Sequence, residues 1–487
     1  MSIRVQVKTA ALLGAGAALQ LDGSALDNPL GVISKRETPQ RTLDAIALVT
    51  AYEEAGAMAL SKPSLPAPCP ADSRPLCSEA AAGHLSELLS DSHGLLLEWL
   101  SLANAVQVRP PEELLPTLLD AATRDRALRP SVAIAAGTLG IWLTQFRPEW
   151  AWLQTSVVDE SAWETGTLVE RLAVLGHLRA TNPMHARALV ESTWQTEQAD
   201  GKRQFVEALA TGLSLDDEAF LESCLDDRSV VVRRTAAELL AALRGSQLSH
   251  RMTERIAACI RVGKAGLLRK AILEVTPFDA LDAAMIRDGI EKNPPAGSKL
   301  GERSWWTMQA LACVHPEKWI REFGMPAERL IEIARNGEWS DLLLEGWRTA
   351  AICHRAANWL SAFANDGALP VHTAIPIFRA LEPPERERCM LQLLNGEPKS
   401  WIPQIPVLCQ HPWTAAFTKS MLKAVTNNLP KEATDALSYQ LKPCLRASAL
   451  LASTEITPPP DEAFAEFTDI LNYRRKMQHA FPNQENR

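Results

Sequence analysis

The sequence predicts an all-α protein, an α-solenoid in which degenerate helix pairs stack one on the next. Apolar residues recur at helical spacing almost everywhere, and the period-two alternation of strands is scarce. Helix starts and stops punctuate the middle of the chain at short intervals, as antiparallel helices joined by tight turns require. The 487 residues, 46% hydrophobic and 22% charged, suffice to bury a sizeable core without disulfides or metal.

Taken in order, Thr38 and Pro39 supply an N-cap and a first-turn proline. The helix behind them places Ala45, Leu48, Val49 and Tyr52 on one face, and Gly56 closes it. Pro63, Pro66, Pro68, Pro70 and Pro75 then exclude a helix. Helices are expected again over about 80–89, 94–105, 111–128 and 131–146.

The middle of the chain is the most informative part. Ser214 with Asp217 three residues later forms a capping-box pattern, Asp replacing the usual Glu or Gln. The helix behind it carries Phe220, Leu221 and Cys224 on one face, and Asp226 and Asp227 suit the exposed N–H groups of the next helix. That second helix buries Val232, Ala236, Leu239, Leu240 and Leu243 and ends at Gly245. A further pair follows, with Met252, Ile256, Cys259 and Ile260 on one stripe and Leu268, Ala271, Ile272 and Val275 on the next. The stretch LDDRSVVVRRTAAELLAAL at 225–243 resembles the second helix of a HEAT repeat. The expected architecture is therefore an α-solenoid of degenerate HEAT-like helix pairs, in which each pair buries its apolar face only by stacking.

Asn293, Pro294, Pro295, Gly297 and Ser298 mark 279–300 as a linker or long loop. Beyond it Leu343, Trp347, Ala350 and His354 form one stripe, and Ile352, Ala356, Trp359, Leu360 and Phe363 another, as on a helix covered on two sides. Pro458, Pro459 and Pro460 break the chain, and Asp461 caps a last helix to about residue 479. The expected regions are 1–160, helical with a proline-rich loop; 161–278, HEAT-like; 279–300, linker; and 301–487, helical and tryptophan-rich.

A net charge of −8 gives no global attraction to nucleic acid or anionic membrane. Locally the balance reverses: residues 222–270 hold ten Lys or Arg against five Asp or Glu. Arg233, Arg234, Arg251, Arg255, Arg261, Lys264, Arg269 and Lys270 are the candidate partner-binding cations. Stacked repeats align such residues either as a ribbon facing an acidic partner or a phosphate backbone, or as Arg–Asp ladders within the chain. Fourteen tryptophans against three tyrosines offer either binding hot spots or inter-helix filler. Most fall on helical stripes and are expected in the core. Trp305 and Trp306 are adjacent, so one of them is the better surface candidate.

No catalytic, cofactor or metal residues are expected. Gly14 and Gly16 lack the third glycine and preceding strand of a dinucleotide loop. Cys313 with His315, Cys353 with His354, and Cys409 with His411 lack structural-zinc spacing. Carboxylate pairs such as Asp216 and Asp217 sit at helix starts, where the dipole explains them. Nine cysteines without framework spacing suit free thiols in a reducing cytosol. Arg4 and Lys8 before the run 9–21 imitate a signal peptide, but that run is Ala- and Gly-rich and weakly apolar. No stretch of eighteen apolar residues suggests a membrane helix, so the expected location is cytoplasmic.

Six stretches carry a family resemblance in order along the chain: LLGAGAAL at 12–19, ALVTAYEEAG at 47–56, CPADSRPLC at 69–77, GTLGIWLTQFRPEWAWL at 137–153, LDDRSVVVRRTAAELLAALRGS at 225–246 and YRRKMQHAF at 473–481. The chain resembles a bacterial family of uncharacterised proteins with HEAT-like helical repeats, a domain of unknown function. The pattern is similar to proteins encoded beside a SWIM zinc-finger protein, a MoxR-type AAA ATPase and a von Willebrand-type domain protein. The resemblance implies a place in a multi-protein assembly and assigns no activity. The expected function is a non-catalytic scaffold or adaptor with a protein partner, such as the AAA ATPase or the SWIM zinc-finger protein. The alternative is a nucleic-acid-binding HEAT-like protein using 222–270 and stacking tryptophans, against which the overall acidity argues. Nothing specific supports a hydrolase.

Overall fold

The structure is a computed structural model describing residues 67–482 apart from 91–93, 157–159, 266–269, 367–368 and 430–435, with a few positions between 40 and 55. The N-terminal apolar run lies outside the described residues, as does most of the helix expected behind Thr38. Met1–Cys69 and Pro70–Arg487 form two compact units, and the helices from Glu79 onward belong to the second.

The described residues are mostly helical. Among the described residues the α-helices of five residues or more begin with α1 Glu79–Ser90, α2 Leu96–Ala105, α3 Leu115–Arg124 and α4 Arg129–Leu143. The middle of the chain holds α5 Leu168–Thr181, α6 Pro183–Thr193, α7 Ala199–Ala208, α8 Glu218–Cys224, α9 Val230–Ala242, α10 Gln247–Ala257 and α11 Ala283–Arg287. Then come α12 Glu302–Ala312, α13 Glu317–Phe323, α14 Ala327–Arg335, α15 Ser340–Cys353, α16 Ala357–Ala364, α17 Val371–Ala380 and α18 Pro383–Gly396. The last are α19 Ala415–Asn427, α20 Ala436–Ala449 and α21 Ala465–His479.

Local chemistry sets many of these boundaries. The capping box at Ser214 forms: the Asp216 amide donates to Ser214 Oγ at 3.3 Å, and the Ser214 amide donates to Asp217 Oδ2 at 3.1 Å. A second box joins Thr167 and Glu170 ahead of α5. Asp461 accepts from the Ala463 amide and starts the turn leading into α21, as expected. The helix expected over 111–128 is broken, because Asp125 leaves helical geometry to accept from the Ala127 amide. Of the stripe expected on α9, Val232, Ala236 and Leu240 are fully buried, Leu243 just past its end nearly so, and Leu239 only half-buried.

Most helices pack against neighbours one to three helices away: α5 on α6 and α7, α9 on α7, α8 and α10, and α12 on α10 and α15. One apolar core runs from Trp163 to Leu471. A second spans Ala81–Leu153 and takes in Met477 and Phe481. Helix α21 therefore serves both cores and packs on α1 and α2.

Two further expectations are corrected. Leu268 lies outside the described residues, and Ala271, Ile272 and Val275 of its expected stripe are not helical: β1 Ile260–Ala265 and β2 Lys270–Val275 form an antiparallel pair, Ile260 opposite Val275 and Val262 opposite Leu273. A short apolar run fits both periods, and here the environment favours the strand. Ile260, Leu273 and Val275 are buried, and β2 packs on α14. Likewise Ile352 and Trp359 do not share a helix. Arg355 takes a positive φ of 47° between α15 and α16, so the two stripes belong to two helices that cover each other.

Candidate partner-binding cleft beside helix α9

Residues 279–300, expected as a linker or long loop, are mostly loop around the short helix α11, and they are stitched into the fold. Asp282 caps α11 by accepting from the Met285 amide at 2.7 Å, and Met285, Asp288 and Ile290 are buried. Gln309 on α12 holds the run behind α11 by both backbone groups of Glu291: its Oε1 accepts from the Glu291 amide at 2.9 Å and its Nε2 donates to the Glu291 carbonyl at 3.0 Å. The Trp306 indole N–H donates to the Lys292 carbonyl at 2.7 Å. Gly289, at φ 90°, presses on α9, where an added Cβ would stand 2.5 Å from the Ala237 Cβ.

This packing places the segment's carboxylates against the candidate arginines. Asp288 Oδ1 accepts from Arg251 Nη2 at 2.7 Å, and Oδ2 accepts from Arg255 Nη1 at 2.6 Å. Arg251 also donates to Glu222 at 3.0 Å, while Arg287 donates to Asp226 at 2.7 Å and to Glu222 at 3.4 Å. Burial alone would raise the Asp288 carboxyl, but hydrogen bonds from Arg251 and Arg255 outweigh it and hold it below the usual carboxylate range. For Arg251 the same balance ends above the ordinary guanidinium value. The hydrogen bond to Asp226 is the main cause that raises Arg287.

The other candidates separate. Arg233 Nη1 donates to the Asp227 carbonyl at 2.7 Å, and Arg234 reaches Glu291 at 3.3 Å and Glu238 at 3.7 Å. Arg261 is exposed on β1 opposite Glu274. Lys264 faces Ala271, and Lys270 faces Ala265, in the strand register. Arg269 lies outside the described residues. Trp306 is buried, and half-buried Trp305 packs against the core with its indole N–H buried and unpaired. Ten of the fourteen tryptophans are buried and the other four half-buried, so core filling dominates.

Beside these residues a cleft of about 370 Å³ opens to solvent between the start of α9 and the pinned segment after α11. Val230 and Ile286 flank it at 56% and 42% exposure, and Ile290 is buried. Arg233, Arg234 and Lys292 also line it, with Glu291 as the one carboxylate. Sequence reasoning found Arg233 and Arg234 and missed Ile286, Ile290 and Lys292, because prolines and Gly297 downstream marked the whole stretch as a loop. The available signal was Asp282 ahead of Met285 and Ile286, a short capped helix.

The Cys–His pairs meet across helices. The His315 and His354 rings stand 4.8 Å apart. Burial pushes the Cys313 thiol up to about 12 and Cys353 up to about 11, values of inert thiols. Among the described residues no group of three or more His, Cys, Asp or Glu could hold a metal ion, and the cysteines are free thiols. No helix among them is long and apolar enough to cross a membrane.

Fold and cleft define a mostly helical protein with a cation-lined groove. The chain belongs to a family of unknown function, DUF5691, whose model matches residues 6–481. No curated protein and no solved structure matches it.

Proposed function

We propose that this protein is a scaffold or adaptor that holds a protein partner on the surface of a HEAT-like helical stack. The observation that carries this reading is the fate of the basic stretch. Arg251 and Arg255 are engaged by Asp288 and Glu222 of the same chain, so they form a ladder rather than a ribbon offered to phosphates. The surface left beside it pairs exposed apolar side chains with cations, a composition suited to a protein partner. Packing of helices on near neighbours in sequence supports a stacked-repeat reading. The family resemblance suggests an AAA ATPase or a SWIM zinc-finger protein as the partner.

Affinity capture with the tagged full chain, followed by gel filtration, tests the proposal. One protein should co-elute in stoichiometric amount. Duplex DNA should bind no better than ~10⁻⁶ M at physiological salt, the range of nonspecific contacts. A tighter, salt-sensitive DNA complex would replace the scaffold reading with a nucleic-acid one.

A further inference from the structure

We propose that the cleft beside α9 is a peptide-docking groove for a partner segment that interleaves apolar side chains with carboxylates. The inference rests on the scaffold reading and names the chemistry of the partner. Three independent features converge on it. The first is an unusual exposure: Val230 and Ile286 are large apolar residues left open, on opposite elements, flanking one concave site. Isolated surface apolar residues need no explanation, but two flanking one cleft above a buried Ile290 form a slot for an apolar side chain.

The second feature is charge. Arg233 and Lys292 line the same cleft, and Arg234 shares Glu291 with it. Lys292 is exposed and makes no ion pair among the described residues, and exposed Arg228, two residues ahead of Val230, is likewise unpaired. Among the described residues Arg233 is hydrogen-bonded through Nη1 alone, to the Asp227 carbonyl. The cleft thus carries three cations against the single carboxylate of Glu291, on a chain whose net charge is −8. Carboxylates are the complementary groups, and local complementarity selects the partner and its register.

The third feature is pre-organisation. One wall is helix α9. The other is fixed by Gln309 on both backbone groups of Glu291, by Trp306 on the Lys292 carbonyl, and by Gly289 against Ala237. A groove whose walls are already held loses little entropy when filled. A phosphate backbone would satisfy the cations but leave Val230 and Ile286 without apolar contacts. A peptide of alternating leucine and glutamate satisfies both.

The test uses the full chain and a fluorescein-labelled peptide of about twelve residues alternating Leu and Glu, titrated by fluorescence anisotropy. Two control peptides replace Glu by Lys, or Leu by Ser. The Leu/Glu peptide should bind at least about tenfold tighter than either control. The double variant Val230→Glu, Lys292→Glu changes two exposed side chains and keeps the Lys292 carbonyl for Trp306. It should melt like the parent and lose about tenfold or more in affinity. Equal binding of the Leu/Lys peptide would overturn the charge requirement, and equal binding of the Ser/Glu peptide would reduce the cleft to a simple anion site. Either result defeats the proposal, as does unchanged binding by the double variant or no binding up to about 1 mM. A stoichiometric partner retained equally by parent and double variant would defeat the groove and leave the scaffold standing. Failure to retain any partner would defeat the scaffold as well.

Discussion

His354 ends α15 with its ring against His315 and beside Cys313 and Arg244. Burial, then the neighbouring His315, pulls it down to about 4 from the ordinary 6.5. Between those values the unfolded chain takes up a proton that the folded chain refuses, so stability is full above about 6.5 and falls as pH drops toward 4. The loss from this one group is on the order of 3 kcal/mol at most. In His354→Asn the urea midpoint should decline less steeply over that window. A slope identical to the parent's would show that His354 is not the group responsible. Arg179 shows the opposite strategy for a buried charge. Fully buried, it donates to the Thr211, Pro183 and Leu209 carbonyls and to both oxygens of Asp217, a bidentate pair at 3.0 and 2.8 Å. Asp217 was legible as a helix cap, but its second role against Arg179, 38 positions away, was not.

At the scale of elements, the segment joining α11 to α12 depends on one glycine. Gly289 needs a positive φ and also meets Ala237, whereas Gly245 has φ 89° with nothing nearby. Gly289→Ala should therefore cost about 1–3 kcal/mol, more than Gly245→Ala, which carries only the backbone strain. Chemical denaturation of both variants measures the difference, and equal losses would mean the wall does not press on α9. The β1–β2 hairpin marks the limit of periodicity as a guide. Leu268, Ala271, Ile272 and Val275 satisfy a helix, while Ile260, Val262, Leu273 and Val275 satisfy paired strands. The cross-strand register and the packing of β2 on α14 decided between them.

For the whole molecule, the decisive contacts join the ends of the helical unit. Arg474 on α21 is buried and donates to Glu98 on α2 at 2.7 and 3.1 Å, and to the Ala449 carbonyl at 2.8 Å. Gln478 adds a bond to Glu98, and the Phe481 and Trp99 rings stand 5.6 Å apart. Arg474→Ala strands the partly buried Glu98 and should cost about 3–5 kcal/mol. The double variant with Glu98→Ala should recover part of that loss in thermal melts. A single variant that melts like the parent would show that the two ends are held by apolar packing alone.

The sequence by itself determined the helical class, the caps at Ser214 and Asp461, the buried face of α9 and the interior role of most tryptophans. Each of these follows from residues within a few positions of one another, where backbone hydrogen bonding and the 3.6-residue period leave one favourable arrangement. Only the tertiary structure decided that Asp288 would disarm Arg251 and Arg255, that the stretch expected as a linker or long loop would become the wall of a cleft, and that α21 would return to α2. Those outcomes depend on carboxylates and carbonyls lying 14 to 380 positions from the side chains that bind them. Local pattern carries no record of such distances. Whether a basic run faces a partner or its own chain depends on which carboxylates the packed core brings within hydrogen-bond reach.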